Sequence, residues 1–133
     1  MPKRDGFTLI EVLVTLVIIS TLVALTWPNY VAIKEKSLNR EAKASLALIR
    51  AAEKIYKMEQ GFYYPNSATE NDVSQINSFL KLSLPASASV NWAVNLNSAG
   101  SATATRNGSD GRVWSINFPG EVDPTCSGGA ACP

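Results

Sequence analysis

The stretch GFTLIE, residues 6–11, opens a long apolar run in which one acidic residue stands alone. From Phe7 to Val31 there are 25 residues, and Glu11 is the only one of them with a formal charge. As a helix this segment would be about 37 Å long, enough to cross a hydrocarbon core of about 30 Å. A charged residue at the centre of such a helix costs about 2.5–3.5 kcal/mol on insertion scales. We therefore expect a membrane-spanning helix in which Glu11 needs a partner.

Composition limits the kind of function to expect. The chain has 133 residues, enough for one modest domain, and its net charge of +1 implies neither nucleic-acid binding nor an acidic substrate. It has no histidine, which is the commonest general base and metal ligand, and no catalytic constellation is evident. Glu121 and Asp123 supply two carboxylates where a calcium site needs about six to eight oxygens. We expect a protein that is not an enzyme and that has no cofactor or metal site.

The residues around the apolar run favour a retained, oriented membrane helix. Lys3 and Arg4 precede it, which favours a cytoplasmic N-terminus and places the chain after Ala32 outside the cytoplasm. A cleaved secretory signal is disfavoured, because the run exceeds the usual ~7–15 apolar residues and no A-x-A-like site follows it. A simple uncleaved anchor leaves Glu11 without an explanation.

The charged leader, the Gly6-Phe7 junction and the apolar run resemble the N-terminus of type IV pilins and of the pseudopilins of type II secretion. The matching residues are Lys-Arg-Asp-Gly at 3–6 and FTLIEVLVTLVIISTLVAL at 7–25. The motif is specific, because it joins a short charged leader and a glutamate four residues after the junction to a long apolar run. The resemblance continues at Pro28 and Tyr30 and weakens in about the last 70 residues.

The resemblance implies a route of processing and assembly. Prepilin peptidase would cut between Gly6 and Phe7 on the cytoplasmic side, and the new amino group of Phe7 would be methylated. Glu11 would pair with the Phe7 ammonium of a neighbouring copy; losing one member of a buried pair typically costs about 3–5 kcal/mol. The implied partners are further copies in a helical homopolymer, minor pilins, the membrane and the inner-membrane assembly machinery. The implied division is a cleaved leader at 1–6, a transmembrane and assembly helix at 7–31, and a globular head at 32–133 that includes the second half of the helix.

Beyond Pro28 the pattern predicts a second helical piece, at about residues 29–60. A proline inside a helix removes a hydrogen bond and clashes one turn back, so we expect a kink or break near Thr26. Gly61 is a fitting stop. Apolar and small residues at every third or fourth position predict the buried face: Leu38, Ala42, Ser45, Ile49, Ala52 and Tyr56, widened by Leu48 and Ile55.

The opposite face of this helical piece is basic. Its residues are Lys36, Arg40, Lys43, Arg50, Lys54 and Lys57. A solvated face is one interpretation, with Glu53 and Lys57 as its main i,i+4 pair. Attraction between neighbouring copies is another, since residues 31–60 have seven basic and four acidic side chains, whereas residues 61–133 have three basic and five acidic ones. Nucleic-acid binding is a third, although no groove with interleaved aromatic residues accompanies the stripe.

The remaining residues predict a small α+β head. GFYYPNSATEND, residues 61–72, is a loop whose three aromatic residues cap the core, and Asp72 caps a short helix at 73–80. Strand-like pieces follow at 90–96, 101–107 and 112–118. NGSDG at 107–111 is a hairpin turn signal. The long helix should therefore pack on a three- or four-stranded antiparallel sheet, with core residues Trp92, Trp114, Ile116 and Phe118.

The tail PGEVDPTCSGGAACP, residues 119–133, is predicted to be a loop. In an exported chain Cys126 and Cys132 indicate one small-loop disulfide, and two thiols without histidine make a poor zinc site. Asn107-Gly108-Ser109 fits a glycosylation sequon, a short pattern whose meaning depends on the host.

Two functions follow from the resemblance. One is a type IV pilin, which would lie in the inner membrane before assembly and in an extracellular pilus afterwards. The other is a type II secretion pseudopilin, which would form a short periplasmic fibre. The terminal cysteine pair favours the pilin, and the scarcity of clustered loop carboxylates disfavours the calcium-binding major pseudopilin.

Overall fold

The computed structural model describes residues 6–85, 91–108, 110–120, 123–129 and 132, without the side chain of Pro28. Two compact units make up the chain, Met1–Lys36 and Ser37–Pro133. The first helix, α1, spans Leu9–Gln60 and ends before Gly61, whose φ of +86° stops it as predicted. The second helix, α2, spans Val73–Leu80.

The second unit contains a five-stranded antiparallel meander in the order β1-β2-β3-β4-β5. This confirms the α+β class, but the predicted count of three or four strands was too low. The additional strands are short and lie at the two edges, where the sequence predicted loops. The strands are β1 (Thr69–Glu70), β2 (Trp92–Asn97), β3 (Ser101–Arg106), β4 (Val113–Asn117) and β5 (Thr125–Ser127).

The core of this unit forms where one face of the sheet meets the buried face of α1. Side chains alternate along the central strands, so that β4 buries Trp114 and Ile116, while Phe118 just beyond it is also buried. Trp92 on β2 is buried in the same cluster. All four predicted core residues are therefore confirmed.

The buried stripe of α1 is rotated slightly from the prediction. Leu38, Ala42 and Ile49 are buried as expected, but Leu46 and Glu53 are buried as well. The prediction that two further residues widen the buried face was wrong, because these residues lie on the exposed side of the helix: Leu48 and Ile55.

The helix α2 begins as its sequence predicts. The Oδ1 atom of Asp72 accepts a hydrogen bond from the backbone N–H of Ser74 at 2.8 Å, which caps the first turn. At the other end Lys81 takes a left-handed conformation with φ of +52°. The Asn77 side chain then bonds both backbone groups of Leu84, at 2.8 Å each, and fixes the segment that follows.

One arginine is wholly buried in this unit. The Nη2 atom of Arg112 lies 3.0 Å from Oδ2 of Asp110, and its Nη1 atom donates to Oδ1 of Asn39 on α1 at 2.9 Å. Nε1 of Trp114 donates to the same Asn39 oxygen at 3.3 Å. Asn39 therefore ties α1 to the start of β4 through two donors.

Candidate functional site

The junction between Gly6 and Phe7 lies just before α1 and is open. Apart from its chain neighbours, no described residue lies within 4 Å of the position that a Cβ atom would take at Gly6, and the Phe7 side chain is 87% exposed. The basic residues of the leader, at positions 3 and 4, lie outside the described residues. The predicted cleavage site is thus sterically accessible, while cleavage and methylation stay predictions.

The Glu11 carboxylate closes a capping box at the start of α1. Its Oε2 atom accepts from the backbone N–H of Thr8 at 2.9 Å and from the Thr8 hydroxyl at 2.8 Å. In return, the N–H of Glu11 donates to Oγ1 of Thr8 at 3.3 Å. Two backbone N–H groups that the helix leaves without an intrahelical partner are satisfied in this way.

This box changes the interpretation of Glu11. The expectation that a simple anchor leaves Glu11 unexplained was wrong, because capping is a sufficient local reason for a glutamate three residues after Thr8. The Thr-x-x-Glu spacing before an apolar run was the signal that could have revealed it. Both donors on Thr8 are neutral, however. The negative charge of the carboxylate therefore stays without a cationic partner among the described residues of this segment.

The apolar part of α1 presents an uncharged surface along its length. From Phe7 to Lys34 every side chain that the structure describes is exposed, and the chain has no formal charge between Val12 and Ile33. The hydroxyl groups turn back onto the helix: Thr15, Ser20 and Thr21 each donate to the carbonyl three residues earlier, at 2.8–2.9 Å. This helix is long and apolar enough to cross a membrane.

The α-helix continues through Pro28, so the break that the sequence allowed does not occur. The hydroxyl of Thr26 donates to the carbonyls of Leu22 and Val23, at 3.2 and 3.1 Å, one turn before the proline. Such back-bonding often accompanies helix bending. A kink at Pro28 stays a prediction.

Two lysines of the basic face cover aromatic rings. Nζ of Lys43 lies 4.5 Å from the ring centre of Trp114, and Nζ of Lys57 lies 4.2 Å from that of Tyr63. The predicted pairing of Lys57 with Glu53 is therefore wrong, because Glu53 points into the core. Part of this face serves to cover the core.

Glu53 is a buried carboxylate that the sequence interpretation missed. It is 0% exposed, and its Oε2 atom accepts from the backbone N–H of Tyr64 at 3.0 Å. Its Oε1 atom has no hydrogen-bond partner among the described residues. Burial raises the pKa of Glu53 from 4.5 to about 7, partly opposed by the bond from Tyr64. Its spacing from Leu46 and Ile49 places it on the buried stripe of α1, and this spacing could have revealed its burial from the sequence.

The predicted disulfide between Cys126 and Cys132 is present. It closes a loop of separation six that starts in β5, where Cys126 pairs with Trp114 of β4. Gly128 and Gly129 in this loop have positive φ, and a Cβ on Gly129 would lie 2.7 Å from the Asp110 carbonyl oxygen. The loop therefore lies directly on the turn between β3 and β4.

The structure gives little support to the two weaker site candidates, the pair of tail carboxylates and the glycosylation sequon. Asp123 is exposed, and Glu121 lies outside the described residues, as does Ser109 of the sequon. Among the residues that the structure describes, no three potential metal ligands cluster.

Comparison with known proteins adds a specific match at the N-terminus. Residues 1–27 match the family model described as "Prokaryotic N-terminal methylation motif". The chain is 36% identical over 62 residues to the type IV major pilin protein PilA of Myxococcus xanthus. It is 36% identical over 61 residues to the type II secretion system core protein G of Escherichia coli, and 35% identical over 65 residues to that of Pseudomonas aeruginosa.

These matches cover about half of this chain and a smaller share of each relative. The match to PilA covers 47% of this chain and 28% of PilA. The matches to the two core G proteins cover 46% and 49% of this chain, and 42% and 45% of the relatives. The similarity thus extends well beyond the motif but not over the whole length of either kind of protein.

Proposed function

The chain has the N-terminal methylation motif of the type IV pilin and type II secretion pseudopilin superfamily, and on that premise we propose that it is the structural subunit of a type IV pilus. It is inserted in the inner membrane, cleaved between Gly6 and Phe7, methylated at Phe7 and polymerised through α1. It then lies in an extracellular filament. It acts as a building block and not as an enzyme.

One observation carries this proposal: an uncharged helical surface follows directly on an open Gly6-Phe7 junction and a capped Glu11. In a membrane, lipid covers this surface. Outside the membrane it needs other apolar surfaces, and identical helices from neighbouring copies supply them. The same segment therefore serves first as an anchor and later as the assembly element.

The capping box supports a role for Glu11 in assembly. Thr8 orients the carboxylate through Oε2, while Oε1 accepts no hydrogen bond among the described residues. Cleavage creates a cation at Phe7, and methylation of the amine keeps that charge. The ammonium of an arriving copy would neutralise the carboxylate in an apolar layer, where an unpaired charge is strongly penalised. The pair would act mainly in recruitment and register, since a buried ion pair adds little net stability.

A second candidate is a pseudopilin of type II secretion, which is favoured by the similarity of about half of the chain to several core G proteins. Processing, membrane insertion and helix-driven assembly would be the same. The fibre would be short and periplasmic. The closed C-terminal loop at Cys126 and Cys132 supports the pilin, as the resemblance implies.

The test combines the intact mass of the chain with the cell fraction in which the chain is found. Intact-mass analysis of the membrane and filament fractions should show a chain that lacks residues 1–6 and carries one methyl group, about 14 Da. A Gly6→Val variant should keep its leader and stay in the membrane. A mature N-terminus beyond Val31 would contradict the proposal, because it would identify an ordinary signal peptide.

Location separates the two candidates. Fibres sheared from intact cells and composed of this chain support the pilin. Fibres found only in the periplasm, together with loss of protein secretion when the chain is deleted, would support the pseudopilin instead.

A further inference from the structure

An apolar groove lies between α1 and α2 in the second unit. Its volume is about 300 Å³, at the lower end of the range of roughly 300–1,000 Å³ typical of ligand sites. Leu48 and Ile55 of α1 form one wall, and Phe79 and Leu82 form the other. Between Leu48 and Glu59 the groove follows about 17 Å of helix, or three turns.

The exposed apolar side chains of this unit gather around the groove. Among its described residues, five large hydrophobic side chains are exposed: Leu48, Ile55, Met58, Phe62 and Phe79. Three of them line the groove. Met58 lies one turn beyond Ile55, and the Phe62 ring packs edge-on against Tyr56 in the groove wall, at 6.0 Å between ring centres. Apolar patches concentrated in one place mark interaction surfaces.

The α2 wall of the groove is held in place by bonds that do not depend on an occupant. The left-handed Lys81 and the segment after it are fixed by Asn77, whose side chain bonds both backbone groups of Leu84. The Phe79 ring stacks on Tyr64 at 4.7 Å between ring centres. A preformed wall lowers the entropy cost of binding.

From this arrangement we propose that the groove receives the apolar segment of α1, residues 12–33, from a second copy of this chain. The inference rests on the proposed function and names the surface of the head to which that segment binds. The segment matches the groove, because it has no formal charge from Val12 to Ile33 and its hydroxyls are satisfied within the helix.

Charges at the two ends of these surfaces set the direction of binding. Two charged residues line the groove, Lys81 and, at the end where α1 finishes, Glu59; Lys34 and Lys36 follow the apolar segment directly. A parallel arrangement brings the opposite charges of Glu59 and of Lys34 and Lys36 together. The two surfaces in contact are different, so the contact is heterologous and propagates into an open filament unless the rotation closes it.

Photo-crosslinking tests the occupant. With p-benzoylphenylalanine in place of Ile55, filaments assembled from a mixture of isotopically light and heavy chains should give crosslinked peptides that join position 55 of one copy to residues 12–33 of another. The same label in place of Ala93, an exposed residue of β2, is the control and should not reach that segment.

A charge placed in the groove tests its contribution. Ile55→Glu should lower the yield of sheared filaments by about tenfold or more, because it buries an unpaired carboxylate on assembly. Ala93→Glu should leave the yield within about twofold. A correctly closed disulfide between Cys126 and Cys132 and an unchanged near-UV circular dichroism spectrum establish that the variant heads are folded.

The outcomes separate this inference from the proposed function. Three results would each overturn the groove proposal and leave the pilin proposal intact. They are normal filaments from Ile55→Glu, crosslinks only to the head of another copy or to a different protein, and no crosslink in assembled filaments. Absence of any fibre from the wild-type chain, on the surface or in the periplasm, would overturn both.

Discussion

Glu53→Gln should stabilise the second unit at neutral and alkaline pH and remove part of its pH dependence. The carboxylate is fully buried on α1 and accepts one hydrogen bond among the described residues, from the backbone N–H of Tyr64. The amide of glutamine retains an acceptor for that bond. It also avoids the cost of keeping a negative charge in a low-dielectric core.

The magnitude follows from the pKa of Glu53, which burial raises from 4.5 to about 7. One pKa unit corresponds to about 1.36 kcal/mol, so this carboxyl destabilises the folded state at pH 8 by about 3 kcal/mol relative to pH 4. The folded state holds the proton more tightly than the unfolded one. Stability is therefore highest below pH 4.5, falls as the pH rises to about 7, and is constant with respect to this group above that.

The assay is urea unfolding of the full chain in detergent at pH 4.5 and pH 8, followed by near-UV circular dichroism. The free energies of unfolding of Glu53→Gln and wild type should be similar at pH 4.5, and the variant should be more stable by about 3 kcal/mol at pH 8. Glu59→Gln is the control, since Glu59 is exposed on the same helix and its substitution should change stability by less than about 0.5 kcal/mol at either pH. A wild-type-to-Glu53→Gln difference that is the same at both pH values would refute the assignment of a buried, ionising carboxyl.

Three further changes probe other parts of the chain. Glu11→Gln keeps the capping box, because glutamine also serves at that position, so the cleaved subunit should remain in the membrane fraction while sheared filament yield falls; normal yield would show that the charge is not needed. Cys126→Ser should lower the free energy of unfolding by about 2 kcal/mol, at the low end of the usual effect because the loop is short, and reduced wild type should behave alike in urea unfolding. Gly100→Ala should lower the free energy of unfolding by more than about 1 kcal/mol in the same assay, since φ is +83° and the new methyl group would lie 2.6 Å from the Tyr63 ring. Gly120→Ala is the control, because its φ is not in the left-handed region and no described atom crowds the new methyl group, so it should change stability by less than about 0.5 kcal/mol.

The sequence predicted the structure best where a pattern involves only neighbouring residues or continues over a long stretch. The apolar run needs no tertiary contact to be recognised, and the cap of α2 depends only on Asp72 and the residues after it. The core tryptophans were predictable because alternation along a strand separates the two faces of the sheet. The disulfide required only a pair of cysteines in an exported chain.

The edge strands could not be predicted, because short strands have no periodicity of their own. β1 has two residues and β5 has three, and each is a strand only because a longer neighbour pairs with it. The face of α1 was predicted only approximately for a related reason. Leu48 and Ile55 line a groove and Leu46 lies in the core, so apolar residues occur on both sides of the helix and the pattern alone does not say which side is buried.

The two glutamates of α1 show why charge is harder to interpret than hydrophobicity. Glu11 stands out in an apolar run, yet the structure satisfies its carboxylate locally through Thr8, so the capping geometry by itself does not require a second copy. Glu53 stands among lysines and looks like a solvated residue, yet it is buried and holds the backbone where the chain turns back after α1. For Glu53 the linear neighbours gave the wrong partner, and for Glu11 the sequence interpretation overlooked the local one, Thr8. The charge-specific role of Glu11 must therefore be isolated by a substitution that preserves the cap, and that of Glu53 by one that preserves the bond to Tyr64; glutamine meets both conditions, whereas alanine would remove the charge and the hydrogen bond together.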